Sequence, residues 1–293
     1  NAGALQVYYR GLQVAKLGQY KFYGTPYDMN FAKRSIAQSM LLVLDPQESF
    51  GAGLSNDGGS RFVRSCPRSP EQAATDPTFA YGKVLSCAFG PQPRSPAFSY
   101  FCADLQSAYS KKIAASVKRF CFLNLNRPGN PAAMIVLDDV TTAAPELKKF
   151  WQLATLNPPQ ATPDGLRLSA TEGGASGVLD VRLLWPSRDE RTVDVLSGAD
   201  ANHVFGRPFT PPTPAAPEAN GHRILVSPKQ AQAHDRFLAV LQACDAAPLL
   251  VRHEESRAAV ILHIADRVVA LPKGAEPLAA AFELTVPQGE TVQ

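Results

Sequence analysis

Two apolar runs, Val117–Leu125 and Ala132–Val140, are separated only by Asn126, Arg127, Pro128, Gly129, Asn130 and Pro131, and this arrangement constrains the fold more than any other stretch. Both runs have strand length, and the Asn/Pro/Gly cluster forces a reversal, so the pair reads as a β-hairpin. Successive strand side chains alternate in direction, which puts Phe120 and Phe122 on one face and Cys121, Leu123 and Leu125 on the other. Neither face is polar. Both must be covered, and the hairpin belongs inside a larger sheet assembly. Ala133 to Leu137 repeats the two-sided character before Asp138 and Asp139 are expected to return the chain to water.

The rest of the chain is punctuated like a β protein. Its 25 prolines and 20 glycines argue against long helices. Residues 81–89 read as a strand, and Leu179, Val181, Leu183 and Trp185 alternate with Asp180, Arg182 and Leu184 until Pro186 ends the run. Further strands are predicted at 224–226, 237–241, 249–252, 258–265, 268–271 and 282–286, with Asp266-Arg267 as a two-residue turn. Ser227-Pro228 has the form of a helix cap, and good helix formers fill 229–243. Strands on both sides favour a strand over Asp235–Gln242 instead. The Gly-rich Gly51–Gly59 and the following residues 64–77 read as a surface excursion. Pro208–Asn220, with five prolines in thirteen residues, reads as an exposed connection, ordered or not. The expected architecture is all-β, a two-sheet antiparallel β-sandwich. Residues 1–200 would form the main sandwich and 201–222 a Pro-rich connection, while 223–293 would complete the sandwich or form a small β subdomain.

Composition narrows the function classes. A chain of 293 residues with 45% hydrophobic residues can bury a sizeable core. A net charge of +3, spread along the chain, is no nucleic-acid footprint. There is no 18-residue apolar run, so no membrane span is expected. Five cysteines leave one unpaired under any connectivity, there is no CxxC pair, and each of the five histidines is at least ten residues from the next. Spacing therefore encodes no structural zinc site, and no cofactor is expected. Cys121 reads as a small buried hydrophobe and His263 as an ordinary strand residue. Asp138 and Asp139 cannot form an acid/base pair, because neighbours on a strand face opposite ways.

Candidate binding chemistry concentrates between residues 11 and 50. Gly18, Gly24 and Pro26 break this stretch into turns, and Tyr20, Phe22, Tyr23 and Tyr27 are interleaved with Lys16, Lys21, Lys33 and Arg34. Rings can stack on pyranose faces while cationic groups pair with carboxylate or sulfate, which suits an acidic sugar chain. Tyr20, Tyr23, Tyr27, Lys33 and Arg34 are thus candidate substrate-binding residues. The plainer reading is of half-buried loop tyrosines with solvated lysines between them.

The segments DLQSAYS (104–110), KRFCFLNLNRPGNPAAMIVLDDV (118–140) and KKFWQL (148–153) resemble, in this order, the C-terminal β-sandwich region of the heparinase II/III-like polysaccharide lyases. LQVYYRGLQVAKLGQY, NFAKRSIAQSMLLVLDPQE, GHRILVSP and DRFLAVLQ are similar to other strands of that region, so the resemblance touches most of residues 1–245. It implies β-elimination of a uronic-acid polysaccharide, which needs a base, an acid and groups that offset the carboxylate charge. It also implies a preceding α-helical toroid, a metal held by two histidines and an aspartate, and a periplasmic or secreted location. Lys16 stands where the family has that aspartate, Gln38 where it has a histidine, and Ala154 where many relatives have His. A lysine ammonium repels a divalent cation and an amide is a poor zinc ligand, so no family-type metal site is expected. Gln38 joins the candidate substrate-binding set.

Asn1-Ala2-Gly3 matches the family's D-A-G segment without its acid, and Asp104 and Tyr109 match a D-x-x-x-x-Y pattern read as structural. A first strand that opens by Leu5 suggests lost upstream sequence. The expectation is the sandwich part of a lyase that needs the toroid for catalysis, or else a degenerate, non-catalytic carbohydrate-binding or assembly module. Either would expose an apolar patch of Tyr20, Phe22, Tyr23, Tyr27, Met29 and Phe31, rimmed by Lys21, Lys33 and Arg34, toward a toroid chain or further copies.

Overall fold

The computed structural model describes residues 2–63, 65–273, 283–285 and 291–292. The central hairpin is longer than its apolar runs: strand Ile113–Arg127 pairs with strand Asn130–Thr142. Arg127 lies opposite Asn130, so Pro128 and Gly129 alone make the turn, with Gly129 at φ +74°.

This hairpin sits in an eight-stranded antiparallel sheet. Its order is Lys83–Gly90, Phe98–Asp104, Ile113–Arg127, Asn130–Thr142, His234–Cys244, Ala175–Trp185, Gly165–Glu172 and Gln160–Thr162. A four-stranded sheet of Arg191–Ser197, His222–Pro228, Lys148–Thr155 and Leu41–Leu44 covers one face. Val136, Val181, Ala239 and Leu241 of the large sheet share one buried cluster with Leu42, Trp151, Ile224 and Val226 of the smaller one. The fold is thus a two-sheet antiparallel β-sandwich. Among the described residues the one α-helix is the six-residue Pro70–Thr75, capped by Ser69.

A third sheet explains why the hairpin is apolar on both sides. Strands Val251–Glu255, Ala259–Ile264 and Arg267–Pro272, continued by Glu283–Thr285 and Thr291–Val292, form a five-stranded sheet. Its Val260, Leu262, Ile264 and Val269 pack with Cys121, Leu123, Ile135, Leu137 and Val240 on the other face of the large sheet. The ends of the predicted strand 282–286, Phe282 and Val286, lie outside the described residues.

The alternative helix over 229–243 is not formed: His234–Cys244 is the expected strand, paired with Asn130–Thr142 and, from Leu238 onward, with Ala175–Trp185. Several other local expectations are corrected. The late hairpin turns at Ala265-Asp266, one residue earlier than expected, with Ile264 opposite Arg267 and Ala265 at φ +55°. Asp138 is buried instead of returning to water, since Lys118 Nζ (2.7 Å) and Trp151 Nε1 (3.0 Å) meet its carboxylate from other strands. The Pro-rich connection is exposed or half-buried along most of its length, as expected, and is ordered: Gln19 exchanges two hydrogen bonds with the Thr213 backbone and Phe209 is buried. Nor does all of the Gly-rich segment stay on the surface: 51–53 are exposed, but Ser55, Asp57, Gly58 and Gly59 are buried.

Candidate functional site

Residues 18–38 make two sharp reversals, and glycine permits the first approach. A Cβ on Gly18 would lie 2.4 Å from Ala32 Cα, so only glycine lets the two segments touch. The second reversal is organised by Asp28, which is fully buried. Its Oδ2 accepts from the Gly24 backbone N–H at 2.7 Å and pairs with Lys33 Nζ at 2.8 Å. One carboxylate therefore ties the tip of the loop to Lys33.

The consequence is an exposed shelf. Tyr20 and Tyr23 are 59% and 68% exposed and meet edge to face, with ring centroids 5.3 Å apart. Lys33 Nζ lies 5.0 Å from the Tyr23 centroid and 5.8 Å from that of Tyr20, and Lys16 Nζ lies 5.3 Å from Tyr20. The hydrogen bond to Asp28 holds Lys33 above its ordinary pKa. Burial pulls Lys16 down, against the charges of Asp28 and Glu218. Two rings that the protein leaves uncovered, with ammonium groups beside them, can stack on a sugar ring and neutralise an acidic substituent in one contact.

The other sequence candidates lie inside. Tyr27 is buried beside Phe31, donates to Asn202 Oδ1 at 3.2 Å, and burial pushes its pKa up to about 12. The apolar patch expected from the sequence therefore shrinks: Tyr27 and Phe31 are core, while Tyr20, Phe22 and Tyr23 remain exposed. Arg34 is no rim cation, since its buried guanidinium pairs with Asp57 at 2.7 Å. Gln38 is buried, and its carbonyl accepts from Gln152 Nε2, which also reaches the Ile36 carbonyl at 3.0 Å. The structure thus brings together Tyr20, Tyr23 and Lys33, and buries Tyr27, Arg34 and Gln38. Asp57 escaped the sequence reading; its one signal was a lone acid in the run Asn-Asp-Gly-Gly.

The backbone brings together the segments that carry the three positions at which the resemblance places a metal. Ala15 N donates to the Ala154 carbonyl (2.8 Å), Leu17 N to the Ala37 carbonyl (3.0 Å), and Ser39 Oγ bridges Ala15 and Ala154. Lys16, Gln38 and Ala154 stand there, and the Lys16 ammonium donates to the Gly18 carbonyl at 2.8 Å. This donor set does not fit a divalent metal. Among the described residues, no group of three or more His, Cys, Asp or Glu side chains could hold one. Asp104 accepts from Gln106 N at a turn. Tyr109 donates to the Leu41 carbonyl at 2.6 Å, and burial pushes its pKa up. Both serve the scaffold. No helix among the described residues is long and apolar enough to cross a membrane.

No protein-family model and no curated protein matches the sequence. Solved structures are similar to it. Against a crystal structure of heparinase III the TM-score is 0.46 at 12% identity, covering 96% of this chain and 33% of that one. A second heparinase III structure gives 0.48 at 7%, covering 96% and 34%. A heparan sulfate lyase HepC mutant from Pedobacter heparinus gives 0.42 at 13%, covering 67% and 28%. The chain spans about a third of the length of the structures it matches.

Proposed function

We propose that this sandwich binds an acidic polysaccharide on the Tyr20–Tyr23–Lys33 shelf, as the β part of a heparinase II/III-like polysaccharide lyase acting outside the cytoplasm. The observation that carries this reading is the exposed Tyr20–Tyr23 pair with Lys16 and Lys33 beside its rings. In the complete lyase, base and acid for the elimination would come from groups other than Lys16, Gln38 and Ala154. That set favours a second version, in which the chain is a non-catalytic binding or assembly module.

Calorimetric titration with heparan sulfate and alginate oligosaccharides, with a neutral glucan as control, tests the shared claim. Saturable, salt-weakened binding to an acidic chain is expected, reduced about tenfold or more in the Tyr20→Ala/Tyr23→Ala variant. Binding that ignores both tyrosines would refute it. Unsaturated products absorbing in the ultraviolet, released by this chain acting alone, would overturn the non-catalytic version.

A further inference from the structure

Beside the shelf, Lys33, Arg34, Ser60, Arg61, Phe62 and Tyr81 help to line an open cleft of about 340 Å³. Three of the lining residues are cationic, and none of the described ones is acidic. Arg34 is the unusual member. Its side chain is 1% exposed, its Nη2 pairs with Asp57, and its buried Nη1 has no hydrogen-bond partner. The rings of Phe50 and Phe62 lie 4.3 and 5.0 Å from the guanidinium carbon. Arg61 is held by the Ser107 and Ala80 carbonyls (2.9 and 2.8 Å), stacks at 5.2 Å on Tyr81, and has no acidic partner among the described residues.

An unsatisfied N–H on a buried guanidinium is costly, and aromatic neighbours cannot accept from it as an oxygen can. They lower the local dielectric, which strengthens any charge-assisted hydrogen bond formed there. Asp57 takes an N–H of Nη2 only, so Nη1 keeps its own N–H groups for another acceptor. What is missing is an anionic oxygen, with Arg61 available to share its charge.

We propose that this cleft is an oxyanion-binding pocket in which Arg34 and Arg61 receive a carboxylate or sulfate group. Lys33 belongs to both shelf and cleft, so a sugar stacked on Tyr23 would place the acidic group of a neighbouring unit here. That second statement rests on the shelf being a glycan site; the anion pocket itself rests only on its own residues.

The test uses the full chain with sodium sulfate and sodium glucuronate as probes and sodium chloride at matched ionic strength as control. Nitrogen NMR of the arginine guanidinium groups is the readout. A saturable shift of the Arg34 signals is expected with sulfate, glucuronate or both, and the responding probe identifies the source of the oxyanion. Arg61→Gln should weaken the response of the Arg34 signals about tenfold or more, and Arg34→Lys, which keeps the charge and loses the fork, should abolish the saturable shift that the Arg61 signals show in the unsubstituted chain. Should Arg34→Lys fail to fold, Arg61→Gln decides by itself, because Arg61 reaches the surface. Equal shifts with chloride, a non-saturating response, or unchanged affinity in Arg61→Gln would overturn the pocket. Tyr20→Ala/Tyr23→Ala should leave sulfate binding intact. Lost anion binding with glycan binding retained would sink the cleft and spare the shelf, and the reverse pattern would do the opposite.

Discussion

Arg34 and Asp57 form an ion pair 2.7 Å long in which neither side chain is more than 1% exposed. Asp57 also accepts from the backbone N–H groups of Ile36 (3.3 Å) and Gly59 (3.2 Å), so one carboxylate locks the loop 51–59 onto the floor of the candidate site. Removing one partner of such a pair leaves a buried charge uncompensated, at a cost of about 3–5 kcal/mol. Asp57→Asn is therefore expected to lower unfolding free energy on that scale in urea titrations. A loss below about 1 kcal/mol would mean that solvent reaches Arg34.

Lys149 and Asp235 make a second pair of this kind, 2.9 Å apart with both side chains 2% exposed, and Lys149 Nζ also donates to the Gln232 carbonyl at 2.5 Å. Desolvation offsets most of the Coulomb attraction in such pairs. Lys149→Met and Asp235→Leu should each cost about 3–5 kcal/mol singly, while the double variant should cost less than either. Additive losses across the cycle would contradict this.

The shelf tyrosines should matter little for stability. Tyr20→Ala and Tyr23→Ala remove exposed rings, so the melting midpoint should change by no more than about 0.5 kcal/mol equivalent. Tyr27→Ala and Phe31→Ala open cavities instead and should cost about 3–5 kcal/mol. Comparable losses at all four positions would place Tyr20 and Tyr23 in the core.

Asp139 supplies a pH dependence with a definite sign. Burial works against its ionised form, but hydrogen bonds from His234 and Arg236, both at 2.7 Å, and their charges carry its pKa below the ordinary carboxylate value. A pKa lowered by folding contributes stability that is complete above the unfolded value, about pH 4, and is lost as pH falls through the folded one. Asp139→Asn should thus be destabilised at neutral pH, by on the order of 1–2 kcal/mol, with the gap to wild type closing in acid. A gap independent of pH would exclude this role.

Thiol accessibility checks the layering. Cys66 and Cys87 are exposed, whereas Cys102, Cys121 and Cys244 are buried and their thiols raised by burial, that of Cys121 to about 12. An aromatic disulfide reagent should titrate two thiols in the native chain and five after denaturation. A third native thiol would show that the five-stranded sheet does not seal the outer face of the large one.

The β class was legible because alternation and strand length are local properties. Cys121, Leu123 and Leu125 opposite Phe120 already required cover on two faces, and the five-stranded sheet provides one of those covers. The shelf was legible in part for the same reason: Tyr20, Tyr23 and Lys33 lie within fourteen residues and meet through a local reversal. The segregation of Tyr27, Phe31 and Arg34 was not, since sequence proximity does not say which side of a turn faces the core.

What the sequence by itself determined is therefore the strand menu, the turns at Pro and Gly, and the absence of metal-ligand types at Lys16, Gln38 and Ala154. The tertiary structure alone decided which charges are buried. Asp57 reaches Arg34 across a loop, Asp138 meets Lys118 and Trp151, and Asp235 meets Lys149 across separate strands. A charge can be buried only where a partner from elsewhere in the chain arrives within hydrogen-bonding distance. That arrival is a property of the packed sheets, not of any stretch of residues.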